Sequence, residues 1–145
     1  MKILARQLTL DMYNCERLKD IEGIKNTLRG VVGYEPDLYA ENIDENHCAV
    51  IGAFSEGHIA LHVYSELKYV AADIFTCTDS EEPEEIAKAI RKYFKPDKIK
   101  STFLKRGDFG LDKEIKPKIK VRVAPLRRVR NKVVGVISEG LRNNK

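Results

Sequence analysis

The chain has 145 residues, 43% of them hydrophobic and 33% charged, which is enough for one compact domain with a buried core. No apolar run reaches the length that spans a bilayer, and residues 1–7 lack the apolar core of a signal peptide. We therefore expect a cytoplasmic protein. Its three cysteines form no disulfide-framework spacing and are expected to be free thiols.

The net charge of +4 is unevenly distributed along the chain. Residues 113–145 contain eleven Lys or Arg against two Glu, so the part that precedes them is net acidic. This predicts a domain at residues 1–110 followed by a basic C-terminal extension at residues 111–145. Such an extension is typical of nucleic-acid or polyanion binding, and equally of a solvated strand edge and helix face.

Hydrophobic periodicity predicts both strands and helices along the chain. A strand over residues 3–12 precedes a helix through residues 18–28, where apolar side chains recur every three or four positions. Three strand-like stretches at residues 50–54, 58–64 and 69–77 are separated by short polar turns, a spacing typical of an antiparallel meander.

Acidic residues and Pro83 then predict a helix start, and Pro96 marks its end. Two further strands are predicted at residues 99–104 and 118–124. Residues 129–141 fit a final amphipathic helix, or a strand over 132–137. The element order predicts an α+β fold, a two-layer sandwich with a mainly antiparallel sheet and helices on one face.

The residues alone point to no particular chemistry. His58 and His62 are four positions apart on a predicted strand, roughly 13 Å, which is too far for one metal ion. We therefore expect no metal site. Phosphate-binding loops, dinucleotide fingerprints and the serine hydrolase elbow are all absent from the sequence. Considered alone, these residues indicate an α+β domain and no specific activity.

The segment at residues 55–77 is more specific than the rest of the sequence. Residues 55–66 read Ser-Glu-Gly-His-Ile-Ala-Leu-His-Val-Tyr-Ser-Glu, and residues 69–77 read Tyr-Val-Ala-Ala-Asp-Ile-Phe-Thr-Cys. The string resembles the Ser-Glu-Ser-His and Phe-Thr-Cys motifs of prokaryotic S-adenosylmethionine decarboxylases, which serve spermidine and polyamine biosynthesis. Residues 5–8 and 13–15 are similar to the family's opening motifs. The resemblance covers about residues 2–110.

The resemblance implies a self-processing lyase. In the family, a serine hydroxyl attacks the preceding Glu carbonyl, and the resulting ester eliminates to leave an N-terminal pyruvoyl group that serves as the electron sink for decarboxylation. His62 resembles the histidine that assists processing, and Cys77 resembles the general acid. Glu66 resembles the carboxylate that holds the ribose hydroxyls, and Tyr64 stands where an aromatic ring stacks on adenine.

The chain departs from this pattern at Gly57, which stands at the position of the processing serine. Glycine has no hydroxyl, so no pyruvoyl cofactor is expected. Ser55 matches a different serine of the motif and lies about 6.6 Å away along a strand. Ala49 stands where the family has a further processing hydroxyl. Together these positions predict that self-processing is lost.

Three functions are open. The first is a non-decarboxylating homologue that binds an adenosyl ligand such as S-adenosylmethionine, or acts as a regulatory subunit. The second is an active decarboxylase or related lyase by another route, using Ser55 or Cys48. The third is polyanion or nucleic-acid binding through the basic extension. A homodimer without membrane association is expected in each case.

Overall fold

The computed structural model describes residues 4–32, 36–77, 83–109 and 115–124, which form one antiparallel sheet with two helices on one face. The predicted α+β fold class is confirmed. In chain order the elements are β1 Ala5–Tyr13, α1 Ile21–Val32, β2 Asp37–Asp44, β3 His47–Phe54, β4 Gly57–Tyr64, β5 Tyr69–Thr76, α2 Pro83–Phe94, β6 Lys98–Arg106 and β7 Lys118–Val123.

The strand order is β2-β3-β4-β5-β1-β6-β7, and every neighbouring pair is antiparallel. Strands β3 to β5 form the predicted meander, and β2, which was not predicted, extends it by one strand, since short turns join each to the next. Strand β1 lies between β5 and β6, so residues from the start of the chain reach the middle of the sheet. This arrangement places β4 and β5 near the centre, where they are held by ladders on both sides.

The helices begin and end where local chemistry dictates. The Asp20 carboxylate accepts the Gly23 N–H at 3.0 Å and caps the start of α1. Helix α2 begins at Pro83, followed by two acidic residues in its first turn. It ends at Phe94, because Lys95 adopts a positive φ of 47° and Pro96 follows. Neither helix among the described residues is long and apolar enough to cross a membrane.

The core lies between the helices and one face of the sheet. Alternate residues of the central strands point to this face, which we call the helix face, and are almost completely buried. From α2, Ile86, Ile90 and Phe94 pack onto it. The other face, which we call the open face, is covered by neither α1 nor α2. The polar members of the alternating strands, including His62 and Tyr64, lie there.

Sequence periodicity missed β2 and placed the start of β3 too late. Strand β2 is an edge strand in which only Leu38 and Ala40 are partly buried, so its mostly polar sequence lacks a strong alternating pattern. Strand β3 begins at His47 rather than at residue 50. The final predicted element, at residues 129–141, lies outside the described residues. Strand β7, within the predicted extension, pairs with β6.

Candidate functional site

A row of aromatic rings crosses the open face at one end of the strands. His47 stacks on Tyr64 with centroids 4.2 Å apart, and Tyr64 lies 5.8 Å from Tyr69. Tyr69 in turn lies 5.4 Å from Tyr13, whose ring carries the Lys98 ammonium 5.1 Å above its centroid. The ladder registers place these five residues directly opposite one another on adjacent strands. We call this set the aromatic row.

His62 lies next to the aromatic row and is held by a second imidazole. His47 Nε2 and His62 Nδ1 are 2.8 Å apart, a hydrogen bond in which one nitrogen carries the proton and the other accepts it. The bond fixes the orientation of the His62 ring. The residue directly opposite His62 on β3 is Ala49, which has no hydrogen-bonding side chain. His47 therefore supplies the polar contact that Ala49 cannot.

Tyr69 anchors the middle of the row. Its hydroxyl donates to the Asp11 carboxylate on the neighbouring strand β1. Burial raises the pKa of Tyr69 above its ordinary value, and the hydrogen bond to Asp11 and its charge act in the same direction. The phenol is therefore neutral throughout the physiological range and serves as a fixed donor. This hydrogen bond holds the centre of the row against rotation.

Glu66 lies at the same end, in the β4–β5 turn, and is exposed. Asn46 of the β2–β3 turn donates to its carboxylate at 3.4 Å. Sequence reasoning placed Tyr64 and Glu66 in one ligand site; the structure places Tyr64 on the open face at the end of β4 and Glu66 in the turn that follows it. A carboxylate beside a row of rings provides hydrogen-bond acceptors next to a stacking surface.

Gly57 and Cys77 form a second cluster at the opposite end of β4. The Glu56 carbonyl accepts the Cys77 N–H at 2.7 Å and the Cys77 thiol at 3.0 Å. At Gly57, an added Cβ would lie 1.8 Å from the Phe75 carbonyl oxygen and 2.8 Å from its carbon. The backbones of β4 and β5 are thus so close that no side chain fits at Gly57 without movement of the main chain.

The residue paired with Gly57 across the ladder is Thr76, which is completely buried. Among the described residues its hydroxyl has no hydrogen-bond partner. A buried hydroxyl without a partner costs about 1–3 kcal/mol. The end of the β4–β5 ladder therefore combines a close backbone approach with an unsatisfied polar group.

The three cysteines differ sharply in environment. All are free thiols, as predicted; Cys15 and Cys48 are buried and Cys77 is exposed. Burial raises the pKa of Cys15 from 9.0 to about 12 and also raises that of Cys48. Cys48 points to the helix face, away from His62. Cys77 is the only one of the three that is open to solvent and close to a residue singled out from the sequence.

The structure thus divides the predicted site residues between two ends of one strand. Gly57 and Cys77 are at one end, and Tyr64 is at the other, with Glu66 just beyond it. His47 was missed by sequence reasoning because strand β3 was not expected to include it; correct alternation along β3 would have placed it on the face of His62. Among the residues that the structure describes, no three His, Cys, Asp or Glu side chains cluster as a metal site.

The described residues form an antiparallel α+β sandwich whose open sheet face carries histidine and tyrosine side chains. The profile of the family described as S-adenosylmethionine decarboxylase matches residues 6–107. The chain belongs to this family. Its predicted resemblance is thereby confirmed at the level of the family.

Curated relatives agree with this assignment. The S-adenosylmethionine decarboxylase proenzyme of Methanococcus maripaludis strain C5 is 30% identical over 118 residues, which cover 77% of this chain and 97% of the relative. The proenzyme of Thermomicrobium roseum is 27% identical over 112 residues, covering 74% and 97%. The similarity therefore extends over nearly the whole length of these relatives.

Solved structures share the fold. The crystal structure of the adenosylmethionine decarboxylase from Aquifex aeolicus VF5 is similar with a TM-score of 0.66 at 19% identity, covering 80% of this chain and 100% of that one. The Trypanosoma brucei AdoMetDC-delta26 monomer gives a TM-score of 0.52 at 15% identity, covering 68% and 45%. At these identities the likeness concerns the fold alone.

Proposed function

We propose that this chain is a family member that does not process itself and that binds an adenosyl ligand without decarboxylating it. The observation that carries the proposal is the geometry at Gly57. The residue has no hydroxyl, and a Cβ would lie 1.8 Å from the Phe75 carbonyl oxygen, so the site fits no pyruvoyl precursor. The names of its relatives describe proenzymes.

The environment of the Glu56 carbonyl supports the same proposal. Both of its lone pairs are occupied, by the Cys77 N–H and by the Cys77 thiol. Two donors polarise the carbonyl, but a nucleophile is still needed to cleave the peptide bond. Cys48 is buried on the helix face, opposite Val63 and at the other end of the β3–β4 ladder from Glu56. This placement does not favour Cys48 as a substitute nucleophile.

The intact mass of the purified protein under denaturing conditions tests this part of the proposal. We expect a single species at 16.5 kDa, because no bond is cleaved. Incubation with hydroxylamine or borohydride should leave the mass unchanged, since the chain has no pyruvoyl carbonyl. Two fragments separated near residue 57, the second with a blocked N-terminus, would overturn the proposal and make the chain an active-decarboxylase candidate.

The ligand would bind at the end of the open face where the aromatic row meets the β4–β5 turn. The Tyr64 ring offers a stacking surface for a purine, with His47 behind it at 4.2 Å. The Glu66 carboxylate is exposed in the turn that follows Tyr64, and its oxygens are suited to accept ribose hydroxyls. The chemistry of these residues, together with family membership, is what favours an adenosyl compound such as S-adenosylmethionine.

Calorimetric titration with S-adenosylmethionine tests whether the chain binds this ligand at the proposed site. We expect Tyr64→Ala to weaken binding about tenfold, the equivalent of about 1.4 kcal/mol lost when one stacked ring is removed. Tyr39→Ala is the matched control, because Tyr39 is an exposed tyrosine on the edge strand β2 and lies outside the aromatic row. Equal affinities of both variants would contradict the assignment of the site.

Two copies of the chain would complete a site that uses both ends of β4. Gly57 and Tyr64 are seven residues apart on one strand, roughly 23 Å, a separation that one adenosyl ligand does not bridge. The open face also exposes apolar side chains, including Ile51 and Val121, which pairing with a second copy would cover. An antiparallel pairing of open faces would bring the Cys77 end of one copy towards the Tyr64 end of its partner.

Light scattering during size-exclusion chromatography measures the molar mass in solution and so tests whether two copies associate. We expect a mass about twice the 16.5 kDa of the chain. Ile51→Lys should shift the protein towards monomer, whereas Leu67→Lys, at an exposed residue of the β4–β5 turn, should not. A monomeric wild-type protein at micromolar concentration would refute the two-copy site.

A further inference from the structure

A groove of about 370 Å³ lies on the helix face beside α2, over strands β6 and β7. It exists because α2 packs on β1 and β5 and does not extend over the two strands at that end of the sheet. The floor is apolar and includes Leu10, Ile99 and Phe103. The groove is therefore separated from the aromatic row by the thickness of the sheet.

One wall of the groove is cationic because of the alternation of β7. Lys118, Lys120 and Arg122 pair in register with three groove-lining residues of β6, so all three point to the helix face. All three are exposed. The apolar residues between them, including Val121, point to the open face. The sequence predicts this strand within a basic extension, but it does not show which face of the sheet the cations occupy.

Helix α2 provides the opposite wall and adds Lys88 and Arg91. Two acidic residues, Glu84 and Glu85, line the groove in the first turn of α2. Within residues 4–32, 36–77, 83–109 and 115–124, none of the five lining cations forms a salt bridge with a carboxylate. Five cations against two carboxylates around one apolar floor leave the groove with an unbalanced positive charge.

We propose that this groove binds a small organic phosphate with an aromatic or apolar body. Two arginines and three lysines suit a doubly charged phosphate better than a single carboxylate, because the phosphate has more negative charge and three acceptor oxygens to share among several cations. The Phe103 and Ile99 side chains supply the surface for the apolar body. A volume of about 370 Å³ is at the small end of the range for small-molecule sites.

The probe is 1-naphthyl phosphate, whose intrinsic fluorescence reports binding and which contains no adenosine. We expect Lys120→Glu in the full chain to weaken binding at least about tenfold, since it replaces a central cation with an anion. Lys100→Glu is the matched control, because Lys100 lies on the neighbouring strand β6 but points to the open face opposite Val121. It should change the affinity less than about twofold.

Arg91→Glu on α2 tests the opposite wall of the groove and should also weaken binding of 1-naphthyl phosphate. The unfolding midpoint of each variant verifies that it is folded. Binding of 1-naphthyl phosphate should fall steeply with salt, and 1-naphthol and inorganic phosphate should each bind more weakly than the probe. Equal loss in the Lys100→Glu and Lys120→Glu variants, or no binding by the wild-type chain, would overturn the proposal. Since the probe lacks adenosine and the groove is on the other face, failure here leaves the adenosyl proposal standing.

Discussion

Introducing a side chain at Gly57 should destabilise the protein and should not lead to self-processing. A real Cβ essentially never lies within 3.0 Å of another heavy atom, and here it would lie 1.8 Å from the Phe75 carbonyl oxygen. The β4 and β5 backbones must therefore separate locally by about 1.2 Å in Gly57→Ser. That movement strains the hydrogen bond from the Cys77 N–H to the Glu56 carbonyl, now 2.7 Å.

The expected loss of stability follows from these two effects. Overpacking costs about 1–3 kcal/mol and a lost backbone hydrogen bond about 0.5–1.5 kcal/mol, so we expect Gly57→Ser to lose about 2–4 kcal/mol. In urea denaturation this corresponds to a midpoint lower by about 1–2 M. Gly57→Ala should lose a similar amount, because the clash comes from the Cβ and not from the hydroxyl.

Gly30→Ser is the matched control, since a Cβ at this exposed position of α1 meets no atom within 4 Å. It should change stability by less than about 0.5 kcal/mol. Intact mass should show the Gly57→Ser chain uncleaved. If Gly57→Ser is as stable as the wild type, or divides at residue 57, then the close approach of Phe75 does not constrain the site and the reasoning fails.

Three further outcomes are expected. Thr76→Val should stabilise the protein by about 1 kcal/mol in urea denaturation, because it removes a buried hydroxyl that has no partner among the described residues; destabilisation would reveal an undetected hydrogen bond. In the native protein one of three thiols, Cys77, should react rapidly with a chromogenic disulfide at pH 8, and Cys77→Ser should abolish that fast phase. Burial raises the pKa of the Cys15 thiol from 9.0 to about 12 in the folded state. The protonated thiol therefore contributes fully to stability below pH 9, and this contribution is lost as the pH rises towards 12. The Cys15→Ala variant should therefore lose less stability than the wild type between pH 9 and 11, and parallel pH profiles would contradict this.

The sequence predicted the sheet and helices well where burial imposes a strong period. Strand β4 alternates completely buried and partly exposed residues, and α2 buries Ile86, Ile90 and Phe94 at helical spacing. Strand β2 has little to bury at the edge of the sheet, so its sequence carries no such period. The hydrogen bonds of its ladder with β3 hold it in place, and these are independent of side-chain type.

The candidate site was predictable in its residue types but not in its geometry. The resemblance pointed to Gly57, His62 and Cys77. A linear motif does not show, however, that Gly57 and His62 lie roughly 16 Å apart along one strand. The partner of His62 was also hidden, because His47 lies fifteen positions earlier and meets it only through the β3–β4 register. Contacts between strands depend on register, which periodicity alone leaves undetermined.

Under our proposal, the same glycine accounts for a chain that keeps the family fold and does not process itself. At the end of β4 the absence of a Cβ allows the backbone to approach Phe75, and this approach lets Cys77 direct two donors at the Glu56 carbonyl. Donors of this kind stabilise charge on a carbonyl oxygen, but they act only when a nucleophile attacks the carbon. Under our proposal the polarising arrangement is present, whereas the attacking hydroxyl and the space for it are both missing. A single added serine is therefore not expected to be sufficient, because the strand end would also have to open.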